Sequence, residues 1–301
     1  MQNLETFYKN YELRDSGDGR RLEKFGKYLI DRPASQALYE KKLDPFIWGR
    51  VDFSFYDGIW HDSSDKEVKE GYSWEMEVDG LKLKLGLSEK GQVGVFPEQF
   101  VNWNWIYETI TDYLKLKGKS SYTSDRKFSV LNGFAYTGGA SLFSAKASKN
   151  YPSEVCHLDG SKSALNWAGD NARLNGLSNI RWIVDDVLSF LKRELKRKKF
   201  YDAMILDPPA FGRGKGKTWS FKKDMEGLLD LAKALMSPAG PVFFMLSCHD
   251  TGIRRDELKE MVSAALSIPV RFMETVDLEI DSPRGNPLHC GVSVRFKKPP
   301  F

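Results

Sequence analysis

Apolar residues over positions 1 to about 95 come in short runs, each closed by a turn signal such as DSGDG at 15–19, YDG at 56–58 and EKG at 89–91. Residues 74–87 alternate apolar and polar positions on either side of Asp79-Gly80, a pair suited to a two-residue turn, so this segment predicts a β-hairpin. The pattern predicts a small β-rich amino-terminal domain over 1–95. From Pro97 the spacing changes: Phe100, Val101, Trp105, Ile106, Ile110 and Leu114 recur at helical intervals and predict one helix. That helix and the polar stretch GKSSYTSDRK at 118–127 form a connection over 96–127. Beyond Phe128, apolar strands at 128–134, 154–159, 180–186, 201–207 and 241–247 alternate with amphipathic helical stretches. This rhythm implies βαβ units in an α/β domain over 128–301, built on a parallel sheet. Two further strands near 271–280 and 289–296 bring the count to seven. They are joined by Asp281-Ser282-Pro283-Arg284-Gly285 with no helix between, so this last pair is expected to run antiparallel at one end of the sheet.

Composition narrows the classes. The 301 residues are 41% hydrophobic and 29% charged, which is too apolar for a disordered chain and too polar for a membrane bundle. No apolar run is long enough to span a bilayer, and the polar start MQNLETFYKNYELRD does not read as a signal peptide. Net charge is only +4, but its distribution is uneven: residues 1–127 hold 20 basic and 22 acidic side chains, and residues 128–301 hold 25 and 19. Cys156, Cys248 and Cys290 are odd in number and widely separated, which fits neither a disulfide framework nor a zinc knuckle. A reducing cytoplasm is expected. The histidines His61, His157, His249 and His289 show no metal-ligand spacing, so no metal is expected.

In an open parallel sheet, ligands bind beyond the carboxyl ends of the strands, which makes the residues following each strand the informative ones. After the first comes NGFAYTGGAS at 132–141, where Gly138 and Gly139 allow a tight turn and a close backbone approach. The spacing lacks G-x-G-x-x-G and no Gly-Lys-Ser/Thr follows, so a dinucleotide or a phosphate loop fits poorly. A ribose-bearing ligand without pyrophosphate fits better. Asp159, after the second strand, is the candidate for its ribose hydroxyls. Asp186, after the third, is the candidate for an adenine amine, with Asp185 expected to point away. Asp207-Pro208-Pro209 follows the fourth strand.

The segments VLNGFAYTGGASLFSA, HLDGSKSALNWAGDNARLNG, RWIVDDVLSFL and YDAMILDPPAFGRG together resemble the successive motifs of class I S-adenosylmethionine-dependent methyltransferases. They are most similar to the group containing the ribosomal large-subunit RNA cytosine-C5 methyltransferases, and residues 11–39 resemble a related bacterial branch with no substrate assigned. The resemblance implies a Rossmann-like seven-stranded sheet and S-adenosylmethionine as cofactor. It implies cofactor contacts at Asn132, Phe134, Tyr136, Thr137, Gly138, Asp159, Ser161, Asp186, Val187 and Asp207. It adds Phe96 and Gln99 from GVFPEQF, similar to a segment that closes over the cofactor. The expected reaction is direct displacement of a sulfonium methyl group, in which positioning carries much of the rate.

For the acceptor, Asp207, Pro208, Pro209 and Phe211 form a D-P-P-x-F pattern like that of the RNA group, whereas amino-methylating enzymes carry an aromatic at the place of Ala210. The following GRGKGKTWSFKK at 212–223 holds Arg213, Lys215, Lys217 and Lys222 with Trp219 and Phe221 interleaved and no acid. Cations for phosphates and rings for unpaired bases make it the candidate RNA-binding loop. A cytosine-C5 enzyme needs a thiolate, for which Cys248 in LSCHD is the candidate nucleophile, with His249 beside it. The expected function is therefore S-adenosylmethionine-dependent methylation of RNA, ribosomal RNA first. The alternatives are the same fold acting on a protein or small molecule, or a non-catalytic RNA-binding factor.

Overall fold

Three Asp-Gly pairs set the turns of the amino-terminal part of the chain: Asp18 and Gly19, Asp57 and Gly58, and Asp79 and Gly80 all have positive φ. Two successive left-handed residues give the turn whose twist matches that of paired strands, and Asp-Gly adopts it at low cost. In this computed structural model, which describes residues 5–69, 71–214, 217–250 and 252–298, each pair closes a hairpin. After the short α1 (Glu5–Tyr8), the strands β1 (Tyr11–Gly17), β2 (Arg20–Phe25) and β3 (Tyr28–Pro33) run as a meander. The one-turn α2 (Pro45–Trp48), capped by Asp44, leads to β4 (Phe53–Tyr56) and β5 (Ile59–Asp62). The five form one sheet in sequence order, antiparallel throughout except for the parallel pairing of β3 with β4. A separate antiparallel pair consists of β6 (Ser73–Val78) and β7 (Leu81–Gly86).

Chain contacts divide the protein into two units, Met1–Val101 with Leu278–Cys290, and Asn102–Asp277 with Gly291–Phe301. These limits differ from the expected boundaries at 95 and 128. The helix α3 (Phe100–Lys117) leads directly into the second unit, and 278–290 joins the first because Asp15 and Ser16 hold it. Asp15 Oδ1 accepts the Asn286 amide at 2.8 Å, and the Ser16 hydroxyl donates to the Pro287 carbonyl at 2.9 Å. The same unit buries a charge cluster, in which Glu23 accepts from Arg32 at 2.7 Å and from the Tyr11 hydroxyl at 2.8 Å, with Arg21 Nε 3.3 Å away.

The second unit follows the predicted rhythm: β8 (Phe128–Gly133), α4 (Gly139–Ser148), β9 (Ser153–Asp159), α5 (Lys162–Leu174), β10 (Ile180–Val184), α6 (Val187–Lys196) and β11 (Ala203–Leu206). Every residue of β8 and β11 is buried, as expected of central parallel strands covered on both faces. A hairpin of β12 (Phe211–Gly214) and β13 (Lys217–Ser220) comes next, then α7 (Phe221–Leu235), β14 (Phe243–Cys248), α8 (Arg255–Leu266), β15 (Met273–Ile280) and β16 (Leu288–Lys297). The sheet order is β10-β9-β8-β11-β14-β16-β15, seven strands with the final pair antiparallel as expected and β16 also antiparallel to β14. Strand order reverses between β8 and β11, so the crevice beyond their carboxyl ends is the switch point where ligands bind in such sheets.

One expectation is corrected here. Residues 211–214 and 217–220 pair as a hairpin rather than an open loop, and α7 starts at Phe221, inside the stretch expected to bind RNA. Phe221, read from sequence as an exposed ring, is 1% exposed and belongs to the core of the unit with Leu228, Phe244 and Leu246.

Candidate active site

The segment after β8 is built from unusual backbone. Phe134 and Tyr136 both have positive φ, 59° and 49°, a region costly for bulky residues that persists where surroundings over-determine it. Here the surroundings are explicit. The Ala135 amide donates to the Leu158 carbonyl at 3.1 Å, and the Tyr136 amide donates to Asp159 Oδ2 at 2.8 Å. Gly138 (φ 96°) then turns the chain into α4. A Cβ on Gly139 would overlap the Trp103 indole, and one on Gly133 would press on Leu206 and Val187, so glycine at both positions lets core groups pack flush against the backbone. Thr137 is buried, and its carbonyl accepts from Asn171 Nδ2 at 3.0 Å.

Beneath this segment lies a polar chain. Asn132 Nδ2 donates to Ser141 Oγ at 2.8 Å, and Ser141 Oγ lies 3.0 Å from His157 Nδ1. Ser141 Oγ and His157 Nδ1 share a hydrogen bond whose direction is set by the tautomer of the imidazole. His157 is 0% exposed, and burial pushes its pKa down to about 3. Asn132, expected to contact cofactor, is 2% exposed and spends its amide on Ser141. Its side chain supports the segment from below.

Asp159 ends β9, with Oδ1 accepting the Ser161 amide at 2.7 Å and Oδ2 the Tyr136 amide at 2.8 Å. Burial raises its pKa against these two amide bonds, and each oxygen still has a second lone pair for a hydroxyl donor. Ser161 caps α5, its hydroxyl accepting the Ala164 amide at 3.2 Å. After β10, Asp185 pairs with Arg193 on α6, while Asp186 caps α6 by accepting the Ser189 amide at 2.9 Å. Val187 is a core side chain, leaving its backbone at the first turn of α6 as what it offers a ligand. Phe96 and Gln99 belong to the first unit, Phe96 capping and Gln99 ending a single turn of 3₁₀ helix in which the Gln99 amide donates to the Phe96 carbonyl at 3.0 Å.

Asp207 leaves β11 with its amide on the Gly133 carbonyl at 3.3 Å and Oδ1 2.8 Å from His249 Nε2. His249 stands next to Cys248 in the sequence, and nothing local ties it to Asp207. Pro208 is buried and Pro209 exposed. Trp219, expected to offer a face to a base, is instead fixed: its Nε1 donates to the Pro209 carbonyl at 2.7 Å and its ring packs on Phe134 at 5.1 Å. The exposed ring of the segment is Phe211, at 76%. Lys215 lies outside the described residues, and Arg213 and Lys217 are described by backbone alone, on β12 and β13. Lys222 is exposed on the first turn of α7. Cys248 is 2% exposed within the core, and burial raises its pKa to about 11, opposed by a hydrogen bond to the Asp250 backbone and reinforced by the charges of Asp250, Asp207 and Glu257. Among the described residues no helix is long and apolar enough to cross a membrane, and no cluster of His, Cys, Asp or Glu is arranged to hold a metal.

A family model described as S-adenosylmethionine-dependent methyltransferase matches residues 63–293. The chain belongs to this family. It is 31% identical over 216 residues to the ribosomal RNA large subunit methyltransferase I of Aeromonas salmonicida, a match covering 70% of this chain and 49% of that protein. It is 32% identical over 172 residues to the ribosomal RNA large subunit methyltransferase K/L of Shewanella frigidimarina, covering 56% of this chain and 21% of that one. The chain thus spans about half the length of the first relative and about a fifth of the second. Among solved structures, the methyltransferase of Agrobacterium tumefaciens is 30% identical and superposes with a TM-score of 0.81 over 96% of this chain and 90% of that one. The class I fold expected from the motifs is therefore the fold observed, and S-adenosylmethionine is the cofactor of the family.

Proposed function

We propose that this chain transfers the methyl group of S-adenosylmethionine to ribosomal RNA. The observation that carries the reading is the register of three acids, Asp159, Asp186 and Asp207, at or just beyond the carboxyl ends of β9, β10 and β11, around the strained Phe134–Gly138 turn at the switch point. In this reading Asp159 accepts the ribose hydroxyls, Asp186 and the Val187 backbone meet the adenine edge, and Asp207 faces the methyl group. Phe96 and Gln99 are carried forward as cofactor contacts on the resemblance of GVFPEQF alone. The cofactor supplies an activated methyl on a positively charged sulfur, so the protein's task is to align the acceptor, hold its proton and keep water out. The relatives named for ribosomal RNA support the choice of acceptor. So does the β12–β13 hairpin, where exposed Phe211 stands beside a run of basic residues without an acid. Cytosine-C5 transfer is weighed against the burial of Cys248, which raises its pKa, and a Cys248→Ala variant that keeps full transfer would exclude it.

The test is tritium transfer from labelled S-adenosylmethionine to ribosomal subunits, and to ribosomal RNA freed of protein, both from cells lacking this gene. Label in large-subunit RNA is the expected result. Material that binds S-adenosylhomocysteine yet labels no RNA fraction refutes the RNA acceptor, and label in ribosomal protein would name the replacement.

A further inference from the structure

Strands β12 and β13 pair with each other and, among the described residues, with no other strand. A lone two-stranded hairpin is marginal in water, so its order comes from what its side chains rest on. Directly paired residues of antiparallel strands share a face, which puts Trp219 with Gly212 on one side and Phe211 with Ser220 on the other. Gly212 adds no side chain to its face, and the Trp219 indole occupies it. Its Nε1 donates to the Pro209 carbonyl at 2.7 Å, and its ring meets Phe134 at 5.1 Å with the planes tilted by 51°. Both rings pack, partly buried, against the core of the unit. Phe211, on the opposite face, is exposed.

Phe134 belongs to the turn that follows β8. It holds its positive φ while the next two amides are tied to the Leu158 carbonyl and to Asp159 Oδ2, and Asp159 is the acid assigned above to the cofactor's ribose. A group that occupies Asp159 and the Phe134–Gly138 turn therefore narrows the positions open to the Phe134 ring, and with it those of the indole and the hairpin resting on it. We propose that Trp219 is a positioning residue that couples the two substrates: through its contact with Phe134, the hairpin takes its RNA-binding position when the cofactor turn is filled, so cofactor and RNA each tighten the binding of the other. This rests on the reading of the chain as an RNA methyltransferase given above. Linkage makes the two effects equal, and couplings of this kind are typically ~5- to 150-fold. The consequence is that RNA is engaged mainly by chains already carrying the cofactor.

The test measures RNA affinity with and without saturating S-adenosylhomocysteine, using ribosomal RNA from cells lacking this gene, for the full chain and its Trp219→Leu, Trp219→Phe and Phe211→Ala variants. The wild type binds RNA roughly 5- to 150-fold more tightly with S-adenosylhomocysteine present, and calorimetry gives the same factor for S-adenosylhomocysteine with RNA present. In Trp219→Leu the factor falls to about 1, and Trp219→Phe, which again offers a ring to Phe134, restores most of it. Phe211→Ala changes an exposed ring and leaves the fold intact, yet it too lowers the factor, because the gain is delivered through this hairpin. An indole that merely props the hairpin would weaken RNA binding equally with and without S-adenosylhomocysteine and leave the factor untouched. That result in Trp219→Leu overturns the proposal alone. So does a wild type whose RNA affinity ignores S-adenosylhomocysteine, a Trp219→Phe variant as uncoupled as Trp219→Leu, or Phe211→Ala with an undiminished factor. Wild-type chain that binds S-adenosylhomocysteine but no ribosomal RNA overturns the RNA reading and this proposal with it.

Discussion

Acidification should loosen the site through one residue. His157 is fully buried under the Tyr136–Gly138 turn, and burial holds its pKa near about 3, with the backbone of Tyr136 acting weakly the other way. An unfolded histidine titrates near about 6.5. Because the folded value is the lower, the unfolded chain binds the proton first, and the stability present above about pH 6.5 is lost as pH falls toward 3. Each unit in that window is worth ~1.4 kcal/mol, so ~3 kcal/mol is lost between pH 6.5 and 4, a large share of the 5–15 kcal/mol typical of a domain. The assay is urea unfolding of wild type and His157→Gln at half-unit steps from pH 7 to 4. The variant has no group to titrate at this place, so the difference between the two curves isolates His157 from Asp159 and Asp202, whose burial raises their pKa values. Parallel curves over that range would refute the reasoning, as would an imidazole resonance of His157 that titrates above pH 5 in the native protein. The same proton would disturb the Asn132–Ser141–His157 chain, so affinity for S-adenosylhomocysteine should fall along with stability.

Gly139→Ala should cost ~1–3 kcal/mol, because the new methyl overlaps the Trp103 indole, and it should weaken S-adenosylhomocysteine binding by tilting the start of α4. A melting curve reads the first effect and calorimetry the second, and a Trp103→Leu background that fails to relieve the loss would exclude the clash as its cause. Phe211→Ala should leave the melting temperature unchanged, since the ring is 76% exposed, while raising the KM for RNA by ~10- to 100-fold if the ring stacks on a base. Unchanged KM would assign that ring no part in holding RNA.

What was legible in the sequence was whatever the chain states locally. Asp79-Gly80 between alternating segments gives the β6–β7 hairpin because the turn and the two-residue period agree. Asp159, Asp186 and Asp207 could be picked out because a parallel sheet puts strand ends on one edge, so the residue after each strand has a place before any tertiary structure is known. Where a residue's role depends on a distant partner, the local signal was silent or misleading. Trp219 and Phe221 are two aromatics in a basic, glycine-rich stretch, which reads as an open loop. Only the return of β13 along β12 brings the Trp219 indole to the Pro209 carbonyl, and only the early start of α7 turns Phe221 into the core.

The same distinction separates Cys248 from His249, neighbours at the end of β14 whose sequence context was equally suggestive. The strand buries the thiol and raises its pKa, whereas the next residue leaves the sheet beside Asp207, 42 positions earlier in the chain. Strand order, which no local pattern fixes, thus decides which of the two neighbours meets Asp207. His249→Gln should therefore slow single-turnover methyl transfer while leaving S-adenosylhomocysteine affinity by calorimetry unchanged, and a variant that lost both together would tie the Asp207–His249 contact to the scaffold instead.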